Sequence, residues 1–130
     1  MKKLLFILTF IFLNVTMFAG IGEGDAFYAN GSVKTKVVKH EKNYELIKFY
    51  ENGSIQEIAF YDLNKEKTGT WTRYCENGCI SATASFKHDK KDGDWKIYDE
   101  NGKMVTYIKY KHGKKDIICT INENNELAVR

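Results

Sequence analysis

Three cysteines and three histidines are the residues of this 130-residue chain with the widest chemical range. Cys75 and Cys79 flank Glu76-Asn77-Gly78, and Cys119 stands apart. No His–Asn arrangement accompanies them to make a thiolate nucleophile. His88 and His112 occupy equivalent strings, Lys-His-Asp-Lys-Lys and Lys-His-Gly-Lys-Lys, so they could share one edge of a sheet. By spacing, no cysteine or carboxylate cluster completes a metal's coordination shell around them. His40 lies in a polar run and matches neither. There is no Gly-x-Ser-x-Gly and no Walker loop, and the nearest string to His-x-Gly-His is Lys111-His112-Gly113-Lys114. The sequence therefore assigns no catalytic residue, no cofactor and no metal, and reads as non-enzymatic.

What positions these residues is a repeat. Glu-Asn-Gly occurs at Glu51-Asn52-Gly53, Glu76-Asn77-Gly78 and Glu100-Asn101-Gly102, spaced by 25 and 24 residues. Phe49, Tyr74 and Tyr98 precede each Glu by two positions, and Ile55, Ile80 and Met104 follow each Gly by two. Tyr61, Phe86 and Tyr110 come ten after the Glu. Gly69-Thr70-Trp71 and Gly93-Asp94-Trp95 open the next units. Weaker copies flank these, at Phe27 to Val33 and Ile121 to Leu127, where Asn125 replaces the glycine. Degenerate ends suit a stacked array whose outer edges face water. Units are expected near 27–48, 49–70, 71–94, 95–116 and 117–130.

Each unit reads as a hairpin. Asn-Gly between alternating runs is a strong hairpin signal, because Gly takes positive φ without steric cost. Ile80, Ala82, Ala84 and Phe86 alternate with Ser81, Thr83 and Ser85, and no Pro interrupts any strand. Lysine-rich turns, Lys87 to Gly93 and Lys111 to Asp116, link the units. The expected fold is all-β, an elongated single-layer antiparallel meander. At this scale Gly53, Gly78, Gly102, Gly69, Gly93, Trp71, Trp95, Tyr74 and Tyr98 are structural repeat positions, the tryptophans serving packing.

The hairpin register stays open between two forms. A two-residue turn would set Trp71 opposite Ala84, Trp95 opposite Ile108 and Lys48 opposite Glu57. A three-residue loop with Gly in the left-handed region would pair Tyr98 with Met104 and Asp99 with Lys103, and Asp99 favours it. The choice decides the thiols. Only the three-residue loop sets Cys75 and Cys79 face to face for a disulfide, with Cys119 free.

Residues 1–22 differ from the rest. Lys2 and Lys3, an apolar run from Leu4 to Phe18, and small residues at Ala19, Gly20 and Gly22 form the layout of a secretory signal peptide. Cleavage is expected within residues 19–22, leaving a repeat domain over 23–130. No cysteine near the cut supports lipidation, so the expected location is secreted or periplasmic. Of 20 Lys and Arg against 17 Asp and Glu, the leader removes two bases and no acid. A near-neutral mature chain argues against nucleic acid as partner.

The Gly-x-Trp, Tyr, Glu-Asn-Gly, apolar and aromatic frame resembles the MORN repeat variant, found in secreted bacterial proteins and in YwqK-type antitoxins. The resemblance spans roughly residues 27 to 127. It implies a single-layer β-meander that binds other proteins or membrane lipid, and it carries over no catalytic residues. A protein partner in the cell envelope is the expectation. Two alternatives accompany it: an antitoxin or immunity protein that binds a cognate toxin, and a peripheral binder of anionic membrane or wall polymer. The last would use Lys87, Lys90, Lys91, Lys111, Lys114 and Lys115, diluted by Asp89, Asp92 and Asp116. Glu51, Glu76, Asp99, Glu100 and Glu123 gather at the opposite edge.

Overall fold

The computed structural model describes residues 24–121 and 126–129. The expected leader and the weak turn at 122–125 lie outside them. Ten strands form one sheet in chain order: β1 (Ala26–Phe27), β2 (Val33–Lys39), β3 (Asn43–Phe49), β4 (Ile55–Asp62), β5 (Lys67–Tyr74), β6 (Ile80–Lys87), β7 (Lys90–Tyr98), β8 (Met104–Lys111), β9 (Lys114–Ile121) and β10 (Leu127–Val129). Every neighbouring pair is antiparallel. No helix occurs among the described residues, and the expected single-layer meander is what is found. One layer has no second layer to bury against. Among the described residues only Ala59, Tyr110 and Glu57 are buried.

The turns along one edge are three-residue loops. Tyr28, Cys75 and Asp99 donate their backbone N–H to the carbonyls of Ser32, Cys79 and Lys103 at 2.8–2.9 Å, and Tyr50 does the same to Ser54 at 2.8 Å. Gly31, Gly53, Gly78 and Gly102 close these loops at φ between 77° and 87°, where a Cβ would be strained. The side-chain oxygens of Asn30 and Asn52 accept the amides of Ser32 and Ser54 at 2.9 Å. In the last loop Asp99 takes over, accepting the amides of Asn101 and Lys103 at 2.9 Å.

The two registers weighed above turn out to coexist. Next to the loops Phe49 faces Ile55, Tyr74 faces Ile80 and Tyr98 faces Met104. One residue further, the partners become Lys48–Glu57, Arg73–Ala82 and Ile97–Thr106. A β-bulge absorbs the difference, leaving Gln56, Ser81 and Val105 as the extra residue in each hairpin. Trp71 therefore faces Ala84 and Trp95 faces Ile108 even though the loops have three residues.

The lysine-rich linkers are shorter than expected. Strands resume at Lys90 and Lys114, so the turns are only His88-Asp89 and His112-Gly113. Their φ values of 48° and 64°, and 50° and 83°, place both residues of each turn in the left-handed region, as a two-residue type I′ hairpin requires. Backbone bonds tie each turn to the preceding hairpin, from Asp89 N to Lys67 O at 3.1 Å and from Gly113 N to Lys91 O at 2.8 Å.

Candidate docking site

One face of the sheet carries a ladder of rings, one from each of five successive strands. Tyr61, Trp71, Phe86, Trp95 and Tyr110 stand with centroids 5.2, 4.9, 5.3 and 5.1 Å apart in that order. Tilted and edge-on contacts at this range are the favourable arrangement for ring quadrupoles. Gly-x-Trp builds it. Between Ile58–Thr72 and Phe60–Thr68 the pairing skips, so three residues of β5, including Gly69 and Trp71, oppose the single Ala59. Gly93 does the same for β7, opposite Ser85. The glycines hold φ of 67° and 85° at these bulges. Each indole then donates to a backbone carbonyl at the bulge, Trp71 to Phe60 at 3.0 Å and Trp95 to Ser85 at 2.9 Å.

Two lysines sit over the rings. Lys67 Nζ lies 5.2 Å from the Trp71 ring and 5.3 Å from Phe86, and Lys91 Nζ lies 4.3 Å from Trp95 and 5.1 Å from Tyr110. The ladder ends where the motif ends. Leu46 stands where Trp71 and Trp95 stand in later units, and Ile117 replaces the bulge glycine between β8 and β9, where only one extra residue is accommodated.

Charge also enters this face at Glu57. Glu57 accepts from Lys48 Nζ at 2.9 Å and from Arg73 at 3.3 Å (Nε) and 3.0 Å (Nη2). Burial alone would raise the Glu57 pKa. The hydrogen bonds and charges of Lys48 and Arg73 outweigh it and hold the carboxyl below its ordinary 4.5. A depressed folded-state pKa adds stability above the unfolded value and loses it as pH falls through the folded one. The thermal midpoint of the wild type should thus exceed that of Glu57→Gln at pH 7. The gap should close as the pH drops below about 4.5. A pH-independent gap would show that the charge of Glu57 is not what matters.

The other sequence candidates lie away from this face. Tyr74 and Tyr98 flank the loops, and the Tyr74 carbonyl accepts the Tyr50 hydroxyl at 2.7 Å, as Phe49 accepts that of Tyr28. Cys75 occupies the position of those tyrosines, and its partner across the loop is Cys79. The two sulfurs are bonded in the structure, with Cα atoms 5.2 Å apart, and Cys119 is free. The expected outcome for exported protein, denatured without reductant, is alkylation of Cys119 alone. Reduction should lower stability by about 2 kcal/mol or less, because the closed loop is so short. Three alkylated thiols on exported protein would contradict the bond.

His88 does not meet His112. Its Nδ1 lies 3.0 Å from Glu66, in the turn between β4 and β5, and 3.8 Å from Asp62, at the end of β4. Ligand atoms of these three lie within 4.8 Å of one another, a grouping that the spacing had not suggested. Asp62 Oδ1 already accepts the amides of Asn64 and Glu66, at 2.9 and 3.0 Å. The trio forms a side-chain cluster at the turn edge, with His88 exposed and Asp62 and Glu66 half-buried.

Two hairpins of this register, β3–β4 and, but for Lys90, β7–β8, fall within residues 39–63 and 91–112, the segments that match the family model of the MORN repeat variant. Those segments are similar to MORN repeats. The β5–β6 hairpin between them keeps the same loop and bulge as these two neighbours. No curated protein and no solved structure matches the chain significantly. MORN repeats serve as modules for protein or membrane interaction and are not catalytic units.

Proposed function

We propose that the protein is a secreted, non-enzymatic interaction module of the cell envelope that docks a protein partner on its ladder face. One observation carries this reading. The face gathers five rings in contact, and with no second layer over the sheet Tyr61, Trp71, Phe86 and Trp95 stay only half-buried. Large contiguous apolar surface on a soluble protein marks an interaction site, and rings are the usual anchors of such interfaces. The leader-like residues 1–22 support export. The antitoxin reading differs only in the partner, and a toxin gene beside this one would support it.

The test is capture of a partner from envelope extract by the mature chain and by Ala84→Phe, which places a ring on the floor between the tryptophans. Capture by the wild type and loss in the folded variant is the expected result. Equal capture by both would remove the ladder face from consideration.

A second reading has its own observation. Lys87 faces Lys90 and Lys111 faces Lys114 across the two-residue turns. Like charges directly opposite repel, and an anionic surface would relieve them. Binding to anionic liposomes that fades between low and high salt would favour this edge over the ladder face.

A further inference from the structure

The rings repeat, but the residue pairs beside them do not. Lys48–Glu57, Arg73–Ala82 and Ile97–Thr106 are the same cross-strand pair in successive hairpins. The first is an ion pair. The second has a cation and no acid, so Arg73 reaches back to Glu57 on β4. That leaves two cations sharing one carboxylate. The third pair is uncharged, and Ile97 is 47% exposed.

This break in the repeat opens a trough of 380 Å³ along β6. Its floor is Ala82 and Ala84. Trp71 and Trp95 flank Ala84, Arg73 and Ile97 flank Ala82, and Phe86 lies beyond Ala84 along the same strand. The guanidinium of Arg73 gives Nε and one amino group to Glu57. It has five N–H donors in all, and its side chain is 66% exposed. Arg73 lines the trough beside Ala82 with donors to spare, and its cluster with Lys48 and Glu57 carries an excess positive charge.

We propose that this trough recognises an extended acidic peptide segment of a protein partner. One aliphatic side chain of that segment lies on Ala84 between the two indoles, and a carboxylate two residues along is held by Arg73. The spacing supports it: Ala82 and Ala84 are two residues apart on a strand, about 6.6 Å, which is also the separation of same-face side chains in an extended peptide. A small excess of cations in a recess, Lys48, Arg73 and Lys96 against Glu57, fits a peptide carboxylate better than a lipid surface, which would need many exposed cations. The proposal rests on the ladder face being the docking surface and adds the chemistry of what docks.

The probe is the blocked peptide Ser-Leu-Ser-Glu-Ser, titrated into the isotope-labelled mature chain and followed by NMR. Saturable shifts are expected, largest at Ala82, Ala84 and the Trp95 indole. Glu→Gln or Leu→Ala in the peptide should each weaken binding about tenfold, as should Arg73→Gln in the protein. Ala82→Leu, which fills the floor while keeping every charge of the Glu57 cluster, should abolish it, so that loss of fold in one variant does not mimic the result. Peptide binding that is absent, or indifferent to Arg73→Gln in a folded variant, overturns the proposal. So do vesicles containing phosphatidylserine that shift the same resonances while the peptide does not. Should the peptide fail while partner capture is still lost in Ala84→Phe, the ladder-face reading survives and only the acidic-peptide assignment falls.

Discussion

Trp71→Ala is expected to cost about 3 kcal/mol, a large share of what a single-layer sheet of this size has to lose. The indole touches Tyr61 at 5.2 Å and Phe86 at 4.9 Å between centroids and donates to the Phe60 carbonyl at 3.0 Å. Full burial of a Trp would make the loss larger, but this ring is only half-buried. Each ring pair adds about 1 kcal/mol beyond its area, and a lost indole donor leaves the carbonyl to water. A thermal midpoint lower by roughly 15 °C should follow, read by circular dichroism in the strand region. Thr72→Ala, one residue along on the opposite face, should cost less than about 1 kcal/mol. Equal losses at 71 and 72 would mean that the ladder is not the principal packing of the sheet.

Gly93→Val is the other large expected effect. The residue sits at φ 85°, and a Cβ there would come within 3.3 Å of the Ser85 Cβ. A β-branched side chain meets both the forbidden backbone region and this contact, for a total of about 3 kcal/mol. Gly78 and Gly102 have similar φ, but a Cβ there meets nothing within 4 Å. Valine at those loops should cost about 1–2 kcal/mol, the conformational part alone. Near-ultraviolet dichroism separates the two further. Losing the bulge at Gly93 should change the tryptophan signal, because the bulge is what sets Trp95 beside Phe86 and Tyr110. An ordinary tryptophan spectrum in a folded Gly93→Val would show that the bulge does not place the ring.

The fold was largely legible because its signals are local. Glu-Asn-Gly marks the loops by residue type, and alternation marks strands such as β6. The bulges left no such mark: Gln56, Ser81 and Val105 share no chemistry, so the two registers looked exclusive when a one-residue insertion joins them. The type I′ turns were hidden because His88, Asp89 and His112 take positive φ without being glycine. Lysines around them read as linkers, although Lys90 and Lys114 already belong to strands.

The docking site was legible only in part. Trp71, Trp95, Tyr61, Phe86 and Tyr110 were each visible as repeat positions, but their contact depends on which strands adjoin. Lys48 opposite Glu57 followed from one register; Arg73 did not, because its reach to Glu57 crosses from one hairpin to the previous one. The absence of an acid at Ala82 was the signal available. His88 with Asp62 and Glu66 was missed for the same reason, being a contact between consecutive turns 22 and more residues apart.

The most direct test of the docking face places a photocrosslinking residue at Ile97 or at Lys109, exposed positions that the pairing puts on opposite faces of the sheet. In native envelope extract, Ile97 on the trough side is expected to crosslink a defined protein and Lys109 to give none. Crosslinks from Lys109 with none from Ile97 would place the partner on the other face and contradict the ladder as the docking surface.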